Sequence, residues 1–389
     1  MNRKGLILSS LLILLTNCEP PRSFYTHQVL GDYYEDKGYI SPLNTSITLK
    51  MFDKDILDEA SVGFDSIIKN LSKEVDRYNN YDSINNLKVI NESFGQEIVI
   101  SNELFELLQL SIDLTILSKG NFHMAMGSII DLYEKQFNDE NVGTIQTLPN
   151  EEQIDSAISC IPSYTEIEKY IVLNTENSSV TLYPYNDMEF IISLGAIAKG
   201  YVMQKAYDYL LTYNQPFIFD AGTSTVAVSG DNPLRDNGSW NIGMTNPIID
   251  SQNLLFTIQV DKDAFISTSG NYQKYFLYEE DGIEKIMHHI LDVNTGKCNN
   301  YYNSISVVSY DASLGLLDAM STALFNIESI DECLSLIDSV EEKYRCDISF
   351  ALTSEDKGSL RLLVSESFNS LITGSIANNI ISKKTIDKY

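Results

Sequence analysis

The chain reads as an α+β protein, with mixed or antiparallel sheets packed against helices. Three observations predict that class. Two long stretches carry apolar residues at helical spacing. Several short apolar or alternating runs close into hairpins. The two kinds of element do not alternate as a regular βαβ series.

Taken in order, residues 45–52 (TSITLKMF) alternate and predict a strand. Ile56, Ala60, Phe64, Ile67, Ile68, Leu71 and Val75 mark one face of a helix over 55–78. Residues 79–91 (NNYDSINNLKVIN) are turn formers with Asp and Asn free to cap. A second amphipathic helix is predicted over 102–118, opened by Ser101-Asn102 and stopped by Lys119-Gly120. Residues 121–133 (NFHMAMGSIIDLY) follow, then an acidic stretch over 139–163 with one helix near 151–158. The apolar run 188–192 (MEFII) leads into 194–201 (LGAIAKGY), small residues around a single lysine. That segment predicts a strand end, a tight turn and a helix start, because residues without bulky side chains admit close backbone approach. Strands are predicted at 216–219, 220–229, 240–244, 256–260 and 304–309, helices at 314–325 and 330–340, and a hairpin at 348–352 and 360–364. The expected organisation is a signal segment over 1–17, a tether over 18–40, a folded body over 41–366 and an unplaced polar tail over 367–389.

The 389 residues include 54 acidic and 27 basic side chains, a formal net charge of −27. Such a surface repels nucleic acid, whose binding needs Lys and Arg on phosphate, so that class is excluded. An anionic ligand would need local neutralisation by a metal cation or a few placed lysines. Arg3 and Lys4 precede an apolar run over 6–15, too short to span a bilayer. Residues 15–18 (LTNC) resemble a bacterial lipobox, departing from it at Asn17, which predicts export and lipidation of Cys18. An ordinary secretion signal that happens to contain a cysteine is the plainer reading. No CxxC pair exists, which argues against zinc and redox motifs, and Cys333 and Cys346 are either a disulfide or buried thiols.

Several residues could carry chemistry. Asp318 and Thr322 lie four apart on a predicted helix and face the same way. Their oxygens suit a hard cation such as Mg²⁺, although a lone aspartate there could equally be a cap or a salt-bridge partner. His289, beside His288 and three residues before Asp292, could act as a general base or be a surface residue before a turn. Thr268-Ser269-Gly270 could hold a ligand or simply turn the chain. Tyr78 could stack on a planar ligand or only pack, and His123 reads as a satisfied core or turn histidine.

It is the order of motifs that carries a resemblance. LGAIAKGY, DAGTSTVAVSGDNP, WNIGMTNP, STSGNYQKYF, HHILDVNTG and DASLGLLDAMSTALF follow one another as in the bacterial FAD:protein FMN transferases, long described as thiamine-biosynthesis lipoproteins. Upstream, SKGNFHMAMGSIIDLY and DRYNNYDSINNLKVIN are similar to two further family segments. The resemblance spans about 45 to 364. It implies a T-fold-like flavin-transferase architecture and Mg²⁺-dependent transfer of FMN from FAD to a threonine of a partner flavoprotein, with release of AMP. The threonine sits in a Ser/Asp-Gly-Ala-Thr-type sequence of the partner. The alternatives are FAD hydrolysis to FMN and AMP, or plain flavin binding. The same resemblance implies the Ala196 carbonyl, Asp318 and Thr322 as metal ligands. It implies Lys199, Thr268 and Ser269 as FAD contacts, and His289 and Asp292 along the pyrophosphate with His289 the base. Tyr78 and the backbone of Phe122, His123, Met124 and Ala125 would hold flavin or adenine. Ser193, His123 and Thr223 depart from the family's usual Asp, Asp and Gly, and Ser193 stands at the expected ligand-binding turn.

Overall fold

The computed structural model describes residues 23–34, 38–40, 42–222, 224–249, 251 and 253–386. Residues 1–22, which include Cys18 and the signal segment, and Thr223 lie outside the described residues.

Among the described residues, nine strands form one sheet. Its spatial order is Tyr25–Gln28, Ile47–Met51, Phe217–Ala221, Thr225–Ser229, Phe265–Gly270, Ser304–Ser309, Ser349–Asp356, Ser359–Ser365 and Ile380–Ile386. Neighbours run antiparallel except the last pair, which is parallel. The two-residue period of a strand divides its side chains between two cores. Leu49, Phe219, Ile305, Val307 and Phe350 lie in the larger core with helices Lys54–Glu74, Ala198–Leu211 and Leu314–Phe325. Val228, Ile266, Val308 and Leu362 face the other way, onto Trp240, Ile242 and Phe256 of a small second sheet. The α+β class is therefore as expected, and it places helices on one face of the main sheet and strands on the other.

Local chemistry sets the helix ends. Asp53 accepts from the N–H groups of Asp55 and Ile56 and starts the first long helix. Ser101 and Ser313 do the same for Asn102–Leu117 and Leu314–Phe325. The first helix ends at Glu74, earlier than its apolar spacing suggested. The Asp76 carboxylate takes the Tyr78 and Asn79 N–H groups at 2.7 and 3.2 Å, a local turn that competes with helix continuation.

Segments toward both ends of the described residues are more ordered than the sequence suggested. Within the expected tether, Tyr25–Gln28 pairs with Ile47–Met51 at the sheet edge, and the Phe24 ring lies 4.5 Å from Phe52 and 6.0 Å from Trp240. At the start of the expected polar tail, Glu366–Leu371 is a helix whose Phe368 is wholly buried, and within that tail Ile380–Ile386 closes the far edge of the sheet. That strand looked polar because an edge strand can leave its lysines, here Lys383 and Lys384, in solvent. Cys333 is a buried thiol that donates to the Leu324 and Ile327 carbonyls, so it forms no disulfide with Cys346.

Phe368→Ala should lower folding stability by about 3–5 kcal/mol, the cost of a large cavity. Urea unfolding measures it, and a change too small to detect would mean that the C-terminal segment is not part of the core.

Candidate active site

The site grows from a close crossing of two helices. A Cβ on Gly200 would lie 2.2 Å from the Leu314 carbonyl oxygen and 2.9 Å from the Asp318 carboxyl carbon. A Cβ on Gly315 would lie 3.2 Å from Tyr201 Cα. Glycine at position 200 is thus what allows Ala198–Leu211 to meet Leu314–Phe325 at this distance. Ala198–Leu211 starts after Ile197, which gives it no side-chain cap. The Gly200 N–H, among the first-turn donors that lack an intrahelical acceptor, donates to Asp318 Oδ2 at 2.7 Å.

Asp318 is 5% exposed. Its Oδ2 also accepts from Lys199 Nζ at 3.2 Å, and its Oδ1 from Ser267 Oγ at 2.7 Å and Thr225 Oγ1 at 3.0 Å. Lys199 also donates to Thr225 Oγ1. Four donors match the acceptor capacity of one carboxylate. The hydroxyls continue outward: Ser269 Oγ lies 2.7 Å from Ser321 Oγ and 3.4 Å from Thr322 Oγ1. Thr322 is the one position of Leu314–Phe325 that is not buried, so its hydroxyl opens the network toward solvent.

The structure brings Lys199, Ser269, Asp318 and Thr322 together and sends Thr268 elsewhere. Adjacent strand residues point to opposite faces, and Thr268 Oγ1 bonds Ser306 Oγ at 2.9 Å on the side of the small sheet. Ala196 sits in the turn just before the helix, partly exposed. The Ser193 N–H donates to the Met124 carbonyl at 2.8 Å, so Ser193 lies beside the segment from Phe122 to Ala125. That segment is buried, and much of its backbone is already committed. Ser118 Oγ bridges Phe122 N–H and C=O, Thr115 Oγ1 takes the Met124 N–H, and His123 Nδ1 takes the Ala125 N–H. His123 Nε2 then donates to the Pro162 carbonyl at 3.0 Å.

The His289 ring is exposed at the surface. Nearby protein mass, then the neighbouring His288 and the charges of Lys274 and Lys199, push its pKa down. Its Nδ1 faces the Lys274 carbonyl at 3.2 Å, which assigns the proton to Nδ1 and leaves the Nε2 lone pair free. Asp292 does not orient it. The Asp292 carboxylate accepts from Asn294 N–H at 2.8 Å, Asn294 Nδ2 at 3.1 Å and Asn299 Nδ2 at 3.1 Å, holding its own turn.

Several contributors escaped the sequence reading. Arg77 is nearly buried; it donates to Tyr78 OH at 2.7 Å and pairs with Asp131, and its guanidinium sits 4.4 Å from the half-exposed Tyr78 ring. Asp131 belongs to the short helix Gly127–Tyr133, whose Tyr133 OH donates to the Gly296 carbonyl at 2.9 Å in the turn after Asp292. The Gly127 N–H donates to the Ile191 carbonyl at 2.9 Å. Asn91 clamps residue 192 from both sides, accepting its N–H at 2.9 Å and donating to its carbonyl at 3.0 Å. Thr225 and Ser267 had no sequence signal beyond being hydroxyls within recognised motifs.

Among the described residues, no three His, Cys, Asp or Glu side chains form a cation cage. The donor set still fits Mg²⁺. Asp318, Thr322 and the Ala196 carbonyl are all hard oxygens, and Mg²⁺ is commonly held by one or two carboxylates together with substrate phosphates. The Asp318 carboxylate already draws in a cation, the Lys199 ammonium.

A family model described as the ApbE family matches residues 43–346, a span that contains every residue of this cluster. The chain belongs to the ApbE family. Relatives of this ApbE-family chain include the FAD:protein FMN transferase of Klebsiella pneumoniae, 27% identical over 249 residues that cover 64% of this chain and 70% of that protein. The protein of the same name from Treponema pallidum is 25% identical over 261 residues, covering 64% and 67%. The ApbE protein of Thermotoga maritima superposes with a TM-score of 0.70 at 21% identity, over 90% of this chain and all of that one. The flavin transferase ApbE of Vibrio cholerae gives 0.66 at 18%, again over 90% and all. These superpositions show a shared fold.

Two buried histidines make the body acid-sensitive. Burial pushes His123 and His288 down to about 4. The unfolded chain protonates them near 6.5, so unfolding takes up protons and stability falls as the pH drops from about 6.5 to 4. Urea midpoints across that range should fall for the wild type. A folded His123→Gln variant should have a slope shallower by up to about 1.4 kcal/mol per pH unit; an unchanged slope would contradict the assignment.

Proposed function

We propose that this chain is an FAD:protein FMN transferase that moves FMN onto a threonine hydroxyl of a partner flavoprotein, with Mg²⁺ bound and AMP released. One observation carries the reading. A buried carboxylate, a lysine and a semi-exposed threonine hydroxyl converge within the family span, on elements that the motif resemblance assigns to FAD and its metal.

Asp318, Thr322 and the Ala196 carbonyl would hold the cation, which when bound neutralises pyrophosphate charge. Lys199 supplies a second positive charge in a protein that is otherwise strongly acidic. Attack on phosphorus is then chiefly positioning and charge neutralisation. The threonine oxygen bonds to the FMN phosphorus, the bond to the bridging pyrophosphate oxygen breaks, and AMP departs with that oxygen. His289 Nε2 takes the hydroxyl proton. The Lys274 carbonyl holds the Nδ1 proton, which leaves the Nε2 lone pair as the accepting position. Arg77 fixes the Tyr78 ring, leaving its open face for a planar ring of the dinucleotide. Export and a lipid on Cys18 complete the proposal, placing the body at a bacterial membrane.

The deciding assay incubates the protein with FAD, Mg²⁺ and a partner bearing a Ser/Asp-Gly-Ala-Thr-type threonine. A covalent mass gain equal to FMN is expected. FMN and AMP without an adduct would make the protein a pyrophosphatase, and unaltered bound FAD would make it a carrier. Asp318→Asn should abolish transfer. His289→Gln should lower kcat about 100- to 10,000-fold, while Asp292→Asn, in a turn-holding position, should keep most of it; equal losses would give Asp292 a direct role. In cells, Cys18→Ser should move the protein from membranes to the soluble fraction, and persistent membrane association would count against lipidation.

A further inference from the structure

We infer that Lys199 is the internal counter-ion of Asp318, filling the cation position until the pyrophosphate of a dinucleotide draws its ammonium away. The inference rests on the reading of Asp318 as a cation ligand and adds how that ligand is guarded.

A carboxylate buried this deeply needs a charge partner. Lys199, itself only 20% exposed, is the cation the structure gives it. Of the four donors on Asp318, the lysine contact is the longest, 3.2 Å against 2.7, 2.7 and 3.0 Å. It is also the one most able to leave. The Gly200 donor is a helix backbone amide, and Thr225 and Ser267 are short side chains fixed on sheet strands. Lys199 ends a flexible four-carbon stem.

The acceptor capacity of the carboxylate is full, so a divalent cation enters only as a donor withdraws. A divalent ion beside the ammonium would also meet like-charge repulsion. An ammonium leaving alone would strand a buried anion. The exchange is therefore one cation for another, and an arriving pyrophosphate gives the lysine its second partner. Metal and dinucleotide then bind with positive coupling through one side chain. Metal alone binds the free protein weakly.

The test titrates Mn²⁺ by calorimetry into the full chain, purified metal-free, without FAD. Lys199→Met and Lys199→Gln should each bind Mn²⁺ roughly tenfold tighter or more than the wild type, since a unit charge has been removed from the immediate surroundings. Asp318→Asn should bind none. Mn²⁺ should also raise the melting temperature of each folded lysine variant more than that of the wild type. Equal or weaker Mn²⁺ affinity in the lysine variants, with Asp318→Asn still inactive in binding, would overturn the counter-ion role and leave the cation site standing. Wild-type Mn²⁺ affinity in Asp318→Asn would remove the cation site, and the counter-ion role with it. The glutamine variant keeps a polar, donor-bearing side chain and serves if the methionine variant does not fold.

Discussion

A buried carboxylate must be surrounded by donors, and Asp318 draws them from three elements besides its own. The amide of Gly200 and the ammonium of Lys199 come from one helix, and the hydroxyls of Thr225 and Ser267 from two adjacent sheet strands. The same contacts fix the entry of Ala198–Leu211, whose first turn has no cap of its own. One side chain thereby joins the helical layer to the sheet and defines the chemical centre. Its structural and chemical roles are not alternatives. The carboxylate that ends a helix's unmet donors is, for the same reason, a concentrated negative charge where a cation can bind.

Around this centre the supporting contacts run through short elements. Gly127–Tyr133 reaches Tyr78 through Asp131 and Arg77, the turn after Asp292 through Tyr133, and the approach to Leu194 through Gly127. Seven residues thus hold three segments in register. Asn91 adds a clamp on residue 192 that imitates a strand ladder.

Much of this was legible in the sequence, for physical reasons. Asp318 stood out as a charge on an apolar helix, and the four-residue step to Thr322 gave the shared face. The small residues of 194–201 announced a close approach, which is the Gly200–Leu314 contact. What escaped depends on long-range pairing. Thr268 and Ser269 are neighbours in sequence and opposites in space, because the alternation of a strand, not the motif, sends Ser269 toward Ser321 and Thr322 and Thr268 toward Ser306. Asp292 looked like a partner for His289, yet its carboxylate is spent on its own turn. Arg77 and Asn91 act on residues far along the chain, and no local pattern reveals such partners. The C-terminal strand was missed because an edge strand with exposed lysines has the composition of a tail.

The pairing of Ile47–Met51 with Phe217–Ala221 has a consequence for how the protein is made. A ribosome takes on the order of ten seconds to produce the intervening chain. The early strand, with its wholly buried Ile47, Leu49 and Met51, has no ladder on that side until then. The second layer waits longer, since Phe368 and the pairing of Ile258 with Ile372 come about 150 residues after Phe217. Both layers therefore close only once the chain has been made past Ile372. Release before that point would leave an open sheet edge and an unplugged core, the kind of intermediate that aggregates.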